Sequence, residues 1–317
     1  MKEATNLNEN YFTMNSTLSH INLPEIKEAY ERGENIMHFI EEKYGELLSR
    51  EQIIEISYDL QAGTYIANYD ADSVDKYTLK HFELIREYFT NVNSVLDVGC
   101  GELCNTQALF NRMNNVDHFF ACDISFSRCQ VGKQFYQSHV DKNIFDRTKI
   151  FVGELLMLPF EDNSIDLIVT SHALEPNGGK EEIILSELLR VARKGLVLLE
   201  PSYELSDDAQ RQRMDSFNYI KGIPDLLQTL SNAKVLHNGL TTNYINPQNR
   251  TAAFVIQKTN NSGSVQNLSF VDPVSKTGLI ENENYFYSPI RGVSYPVIEN
   301  LPILRPNAGI ITSSLSR

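Results

Sequence analysis

Two glycines and an acid are spaced in a way that could hold a nucleotide-like cofactor. The segment VLDVGCG, residues 95–101, ends a predicted strand and opens a predicted helix. Gly99 and Gly101 allow the backbone to turn tightly and to approach a ligand where a Cβ would collide with it. Asp97 places a carboxylate at the strand end, where it can accept hydrogen bonds from an ammonium group or from water. We therefore expect a cofactor loop here.

Acids also follow the next two predicted strands. Asp123 ends the apolar run HFFACD, and an acid in that position suits the two hydroxyls of a ribose. Glu154 follows the run KIFVG, in a position to accept a hydrogen bond from an adenine amino group. The sequence therefore predicts carboxylates at three successive strand ends.

Alternating apolar and amphipathic runs indicate the elements that position these residues. The apolar runs are SVLDVG, HFFACD, KIFVG, IDLIVTS and GLVLLEP, followed later by KVLHNG and AAFVIQK. Near-continuous apolar strands require helices on both faces of a parallel sheet. The sequence predicts a doubly wound, Rossmann-like α/β fold with a seven-stranded, mostly parallel sheet.

Other segments flank this sheet. Residues 1–74 are predicted to form a tail and a helical cap, and residues 75–258 the cofactor-binding domain. Residues 259–267 have the composition of a linker. Residues 268–317 contain five prolines and short β-like runs, so we expect a small β-rich module there.

Composition restricts the class of protein. The formal net charge is −13, from 41 acidic and 28 basic residues, so most of the surface would repel a phosphate backbone. The N-terminus shows no signal-peptide pattern, and no run reaches the roughly 18 apolar residues of a membrane span. We expect a cytoplasmic protein that takes a small-molecule substrate, without a metal site and without nucleic-acid or membrane partners. A homo-oligomer stays open.

Together these motifs resemble the class I S-adenosylmethionine-dependent methyltransferase family, over roughly residues 75–258. The resemblance rests on VLDVGCG, ACDIS, GELLMLPF, SIDLIVTSHALE and ELLRVARKGLVLLEP. It implies an enzyme that uses S-adenosylmethionine. By position, the cofactor contacts would be Asp97, Gly99 and Gly101 at the methionine portion, Asp123 at the ribose, Ile124, Glu154 and Leu155 at the adenine, and Ser171 with His172 at the floor.

The glycine loop departs from the family pattern. Glu102 and Leu103 stand where the family usually has another small residue, which predicts a shifted or less open loop. Glu154 replaces the usual Asp. A dinucleotide dehydrogenase would also use a glycine loop and an acid that binds the ribose. Its GxGxxG pattern, however, requires Gly or Ala where this chain has Cys104.

His172 and Glu175 are the candidate catalytic residues. The methyl group of a sulfonium is already activated, so transfer requires in-line positioning, and a general base helps when the acceptor is a hydroxyl. His172 could take that proton and Glu175 could orient it, but both could also merely shape the pocket. Tyr58, Gln61 and Tyr65 could close over the cofactor, although packing of the helical cap would explain them equally well.

The C-terminal segment has a resemblance of its own. DPVSKTGL and GVSYPVIENLPILRP are similar to the zinc-ribbon-related Trm112-like family. Asp272 and Ser275 stand where that family has knuckle cysteines, so we expect no zinc. The segment would then keep only a β scaffold.

Three functions remain open at this stage. The favoured one is methyl transfer to an oxygen, or less so a nitrogen, of a small metabolite or sugar-type precursor. A protein or tRNA acceptor is the alternative that the Trm112-like resemblance implies, and a basic surface patch would favour it. A non-catalytic binding module that retains the fold is the third, and failure to bind S-adenosylmethionine would support it.

Overall fold

The computed structural model describes residues 20–242, 246, 248–259 and 268–314. The chain forms two compact units, residues 1–61 and 62–317. The domain boundaries expected after residues 74 and 258 stay predictions, and most of the expected linker lies outside the described residues. No helix in the described part of the chain is long and apolar enough to cross a membrane.

Within residues 20–61, the first unit contains three helices, α1 Leu23–Glu31, α2 Ile36–Tyr44 and α3 Arg50–Asp59. A capping box begins α3, because the side chains of Ser49 and Gln52 each accept a hydrogen bond from the other's backbone amide. Apolar side chains from all three helices, including Ile26, Ile40 and Ile53, pack together. This unit therefore has a small core of its own.

The second unit is built around a seven-stranded sheet in the order β3-β2-β1-β4-β5-β7-β6. β7 runs antiparallel to the other six strands, and this mostly parallel sheet confirms the predicted fold class. The strands are β1 Ser94–Val98, β2 His118–Asp123, β3 Thr148–Val152, β4 Ile165–Ser171, β5 Ala192–Pro201, β6 Ala233–Leu240 and β7 Thr251–Lys258. The helices are α4 Thr64–Ala67, α5 Ala71–Tyr88, α6 Cys104–Asn111, α7 Phe126–His139, α8 Lys142–Asp146, α9 Glu181–Val191, α10 Asp208–Ser216 and α11 Ile223–Thr229.

Both faces of this sheet are buried, as its continuous apolar strands require. Leu96 and Phe120 belong to the core on one face, while the preceding residues Val95 and Phe119 belong to the core on the other. Alternate residues of a strand point to opposite faces, so each apolar run contributes to both cores. This burial holds the strand ends in fixed positions.

The C-terminal segment forms a small antiparallel sheet, as predicted, in the order β11-β10-β9-β8 with β12 beside β10. Its elements are β8 Ile280–Glu281, β9 Tyr285–Ser288, β10 Val293–Ile298, β11 Leu301–Pro302, the 3-10 helix Pro306–Ala308 and β12 Ile310–Ile311. The segment adds to the edge of the large sheet, because Val152 at the end of β3 pairs in parallel with Ile303. The Leu304 amide donates to the Val152 carbonyl at 2.8 Å.

Asp272 organises the turn where knuckle cysteines would be expected. Its fully buried carboxylate accepts hydrogen bonds from the amides of Val274 and Ser275, at 2.8 and 2.9 Å. The hydroxyl of Tyr295 donates to the same carboxylate at 3.3 Å. Hydrogen bonds therefore close this turn, and the described residues contain no group of three or more side chains placed to hold a metal ion.

Candidate active site

The candidate site lies where the strand order of the large sheet reverses. β1 pairs in parallel with β2 on one side and with β4 on the other. In open α/β sheets, ligands bind outside the carboxyl ends of the strands at such a switch point. The predicted residues Asp97, Asp123 and His172 lie at or just beyond these strand ends, so the fold brings them to one edge of the sheet.

The two glycines of the loop meet both a conformational and a steric requirement. Gly99 and Gly101 have positive φ angles of 77° and 55°. A Cβ on Gly99 would lie 2.2 Å from the Cβ of Ala173, and one on Gly101 would lie 2.5 Å from the Nη2 of Arg128. A larger residue at either position would displace a wall of the site.

Leu103 explains how the loop accommodates its departure from the family pattern. Its φ of 58° is left-handed, a conformation that costs an L-residue roughly 1–2 kcal/mol compared with glycine. The side chain is fully buried, and a Cβ on Gly132 of α7 would lie 2.7 Å from its Cδ1. The loop therefore keeps its turn, and the absence of a side chain at Gly132 provides the room.

Glu102 is the second unusual residue of the loop, and the structure shows what it binds. One carboxylate oxygen accepts a hydrogen bond from the Gly63 amide at 2.9 Å, and the other accepts one from the Ile66 amide at 2.8 Å. The side chain is only 1% exposed. Glu102 therefore ties the start of α4 to the glycine loop, a role that the sequence reasoning missed because the two segments are distant in the chain.

Asp97 and Asp123 are both buried and hydrogen-bonded. The hydroxyl of Thr106 donates to Asp97 at 2.6 Å, while burial raises the pKa of this carboxyl to about 6. Asp123 accepts from the Gly101 amide at 2.9 Å and from the Ser125 amide at 3.0 Å. The acid at the end of β2 is thus joined directly to the glycine loop.

The predicted adenine contacts lie after β2 and β3. Ile124 is half-buried, and Leu155 packs against the core on one face of the sheet. Glu154 lies 3.7 Å from the Nε of Arg305, a buried residue of the C-terminal segment. The basic partner of Glu154 could not have been predicted from the sequence motifs.

His172 and Glu175 are brought together by the turn after β4. The Nδ1 of His172 lies 3.1 Å from the Oε2 of Glu175, and its Nε2 lies 2.8 Å from the Oγ1 of Thr251. The side-chain amide of Asn249 donates to the same carboxylate at 3.1 Å. Burial opposes the charged form of His172. The hydrogen bond and the charge of Glu175 favour it more strongly, with a further contribution from the charge of Glu200, so the pKa of His172 is raised.

Glu200, at the end of β5, fixes the turn that carries His172. Its fully buried carboxylate accepts from the amides of Ala173 and Leu174 at 3.0 and 3.1 Å. Burial raises the pKa of this carboxyl to about 7. The sequence reasoning missed Glu200, although an acid that ends an apolar strand was the signal already used for Asp123.

Two tyrosines lie near the His172–Glu175 pair. The Tyr77 hydroxyl lies 3.0 Å from the Oγ of Ser171, the predicted floor residue, and burial raises the Tyr77 pKa to about 12. Burial likewise raises the Tyr219 pKa to about 12, and the negative charge of Glu175 raises it further. Arg213 donates to the Tyr219 hydroxyl at 3.3 Å. Charged and hydroxyl groups thus surround the His172–Glu175 pair.

The three predicted covering residues fall in different units. Tyr65 of α4 belongs to the second unit, and its ring centroid lies 4.9 Å from the guanidinium carbon of Arg128. Tyr58 and Gln61 belong to the first unit, where the Gln61 side chain donates to the Ser57 carbonyl at 3.1 Å. Their contact with a cofactor stays a prediction.

Comparison with known proteins identifies part of the chain. Residues 96–199 match the family model described as a methyltransferase domain. No curated protein matches the sequence. The family match does not include residues 268–317, so their Trm112-like resemblance stays a prediction.

Two solved structures share the fold. Magnesium protoporphyrin IX methyltransferase from Synechocystis PCC 6803, with bound S-adenosylhomocysteine, is 12% identical and has a TM-score of 0.51, covering 66% of this chain and 99% of its own. A chain from the complex between the Haloferax volcanii Trm112 methyltransferase activator and a protein assigned as a methyltransferase is 14% identical and has a TM-score of 0.52. That match covers 67% of this chain and all of the other.

The residues at the switch point fit S-adenosylmethionine. Buried carboxylates lie at the ends of β1 and β2, where an ammonium group and ribose hydroxyls need acceptors, and the glycine loop runs between them. The domain match lies on these same strands and loops. The chain is therefore an enzyme that uses S-adenosylmethionine, and residues 96–199 carry its methyltransferase domain.

Proposed function

We propose that the enzyme transfers a methyl group to an oxygen of a small hydroxylated metabolite. The observation that carries this proposal is the hydrogen-bonded pair of His172 and Glu175 at the end of β4. A hydroxyl acceptor must lose a proton as it is methylated, and this pair offers a group to take it. The net charge of −13 also favours a small molecule over a nucleic acid.

The cofactor contacts follow from the strand ends. Asp97 would accept from the ammonium group, Asp123 from the ribose hydroxyls, and Glu154 from the adenine amino group, with Ile124 and Leu155 as apolar contacts. Gly99 and Gly101 let the backbone pass close by. When bound, S-adenosylmethionine supplies a methyl group activated by its sulfonium sulfur.

His172 acts through its Nε2 atom in this proposal. With a proton on Nδ1, His172 donates to Glu175, so Nε2 is an acceptor that contacts the Thr251 hydroxyl. An acceptor hydroxyl that replaces Thr251 at this atom can deliver its proton there. Glu175 then stabilises the imidazolium, because an adjacent carboxylate favours the charged form of histidine.

Binding and methyl transfer test the proposal separately. Calorimetric titration with S-adenosylhomocysteine should show saturable binding that Asp123→Ala weakens strongly, because the variant loses the proposed ribose contact. Asp146→Ala is the control, since Asp146 pairs with Lys142 on the surface. Labelled methyl groups from S-adenosylmethionine are then followed into a panel of hydroxylated and amino-bearing small molecules.

The His172 variant tests the proposed base. His172 has a φ of 55°, so asparagine is a suitable replacement because it tolerates this backbone region. His172→Asn should lower the methylation rate by about 10²–10⁴-fold while S-adenosylhomocysteine affinity stays within about threefold. An unchanged rate on a hydroxyl acceptor would remove His172 from the chemistry, and transfer only to amines would refute oxygen methylation.

A protein or tRNA acceptor is the second candidate. The observation that favours it is the C-terminal segment, which resembles an activator module and joins the edge of β3 at Val152 and Ile303. Methyl transfer to cell protein or to tRNA, with none to small molecules, would make this the better account.

A further inference from the structure

Arg128 places a positive charge against the glycine loop. It lies on α7, is about nine-tenths buried, and its guanidinium approaches Gly101 so closely that a Cβ there would lie 2.5 Å from Nη2. The neighbouring loop residues carry negative charge, from Asp97 at the end of β1 and Asp123 at the end of β2. A basic group among these acids changes which ligand atoms the loop can hold.

The cofactor itself contains one anionic group, the carboxylate of its methionine portion. Around buried acids such as Asp97 and Asp123, this carboxylate is repelled unless a cation lies beside it. Arginine suits that task because its planar guanidinium can donate two parallel hydrogen bonds to a carboxylate. Arg128 is a guanidinium that touches the loop from the α7 side.

Tyr65 covers this guanidinium. Its ring centroid lies 4.9 Å from the Arg128 guanidinium carbon, within the range of a cation–π contact. Tyr65 is 52% exposed, yet desolvation of its hydroxyl raises its pKa. The charge of Arg128 lowers this pKa, while the charges of Glu175 and Asp123 raise it. The Tyr65 ring therefore packs over a buried cation.

Glu102 holds Tyr65 in this place. Its two carboxylate oxygens bind the amides of Gly63 and Ile66, on either side of Tyr65. Because Glu102 follows Gly101 directly, the covering segment and the glycine loop are joined at a single residue. The covering ring, the guanidinium and the loop thus form one assembly.

We propose that Arg128 binds the carboxylate of the cofactor's methionine portion, beneath Tyr65 and against Gly101. This inference rests on the proposed placement of the cofactor at the glycine loop. Glu102 is a positioning residue that acts through Tyr65. Water is kept from the ion pair by the ring above it, so the pair is stronger than it would be on an open surface.

Two ligands that differ in the carboxylate test the proposal by calorimetry on the full chain. S-adenosylhomocysteine carries the amino acid, whereas 5′-deoxy-5′-methylthioadenosine keeps adenosine and sulfur but lacks it. Arg128→Met should lower the affinity for S-adenosylhomocysteine by about 10- to 100-fold and change the affinity for methylthioadenosine by less than about twofold. Only the first ligand has a carboxylate that Arg128 could bind. Arg112→Met is the matched control, since Arg112 pairs with Asp75.

The other outcomes are equally informative. Equal weakening of both ligands, or of neither, would overturn the role of Arg128 while leaving the cofactor site intact. If the wild type binds neither ligand, the cofactor placement itself fails. Thermal unfolding checks each variant, and if Arg128→Met does not fold, Arg128→Lys should keep the preference for S-adenosylhomocysteine while Tyr65→Ala should reduce it severalfold. An unchanged preference in Tyr65→Ala would contradict the covering role.

Discussion

Replacing Gly132 by alanine should destabilise the protein, against the usual effect of this substitution in a helix. Gly132 lies in the interior of α7, where glycine is less favourable than alanine by about 0.5–1 kcal/mol. Helix propensity alone therefore predicts a more stable variant. Packing predicts the opposite, because the new Cβ would lie 2.7 Å from the carbonyl carbon of Glu102 and 2.8 Å from its Cα.

The packing effect should be the larger one. The contacts in the way are backbone atoms of Glu102 and the Cδ1 of buried Leu103, so no flexible side-chain end can simply move aside. Overpacking of this kind costs about 1–3 kcal/mol, which after the helix gain leaves a net loss centred near about 1 kcal/mol and reaching at most about 2.5 kcal/mol. The glycine loop must also shift, and misplacement near a reacting centre by about 1 Å can cost about 100-fold in rate.

Urea unfolding and S-adenosylhomocysteine titration measure the two effects. Gly278→Ala is the control, because a Cβ there meets nothing within 4 Å and its φ is not in the left-handed region. We expect the control to be neutral or slightly stabilising, while Gly132→Ala is less stable and binds more weakly. A Gly132→Ala protein as stable as the wild type, with unchanged affinity, would refute the close packing between α7 and the loop.

Two further predictions concern acids of the site. Burial raises the Asp97 pKa from 3.8 to about 6, so the folded state binds more protons between these values and stability falls as pH rises through that window. Asp97→Asn should therefore be more stable than the wild type at pH 7.5, by at most about 3 kcal/mol, and the gain should be smaller at pH 5. Urea unfolding at both pH values measures this difference. The same variant should bind S-adenosylhomocysteine poorly. Glu102→Gln leaves one of the Gly63 and Ile66 amides without its acceptor, so hydrogen exchange of that amide should accelerate at least tenfold. Equal protection of both amides in the variant and the wild type would argue against Glu102 as the link between α4 and the glycine loop.

The fold and the acids at strand ends were predictable because each depends on a local pattern. A continuous apolar run specifies a buried strand wherever it lies, and an acid that ends such a run marks the carboxyl edge of the sheet. Asp97, Asp123 and the neighbouring pair of His172 and Glu175 follow from this rule. Glu200 obeys it too, and was missed because the run GLVLLEP was used only to identify a strand.

Residues that act across long separations in the chain were not predictable. Glu102 binds an amide 39 positions earlier, and nothing in the run GCGEL reveals that partner. Arg128 occupies a helix position whose neighbours in sequence give no sign of the glycine loop or of Tyr65. Glu154 was expected from its motif, but its ion pair with Arg305 depends on how the C-terminal segment docks.

The pairing of Val152 with Ile303 determines when, during synthesis of the chain, the edge of β3 is covered. β3 leaves the ribosome well before the segment that completes its edge. At about 5–20 residues per second, the roughly 150 intervening residues take about 8–30 seconds to synthesise. During that interval the nascent chain presents an unpaired strand edge, which is a template for association with other chains. Chaperone demand should therefore peak before residues 301–305 pair with β3, and should fall once this edge is covered.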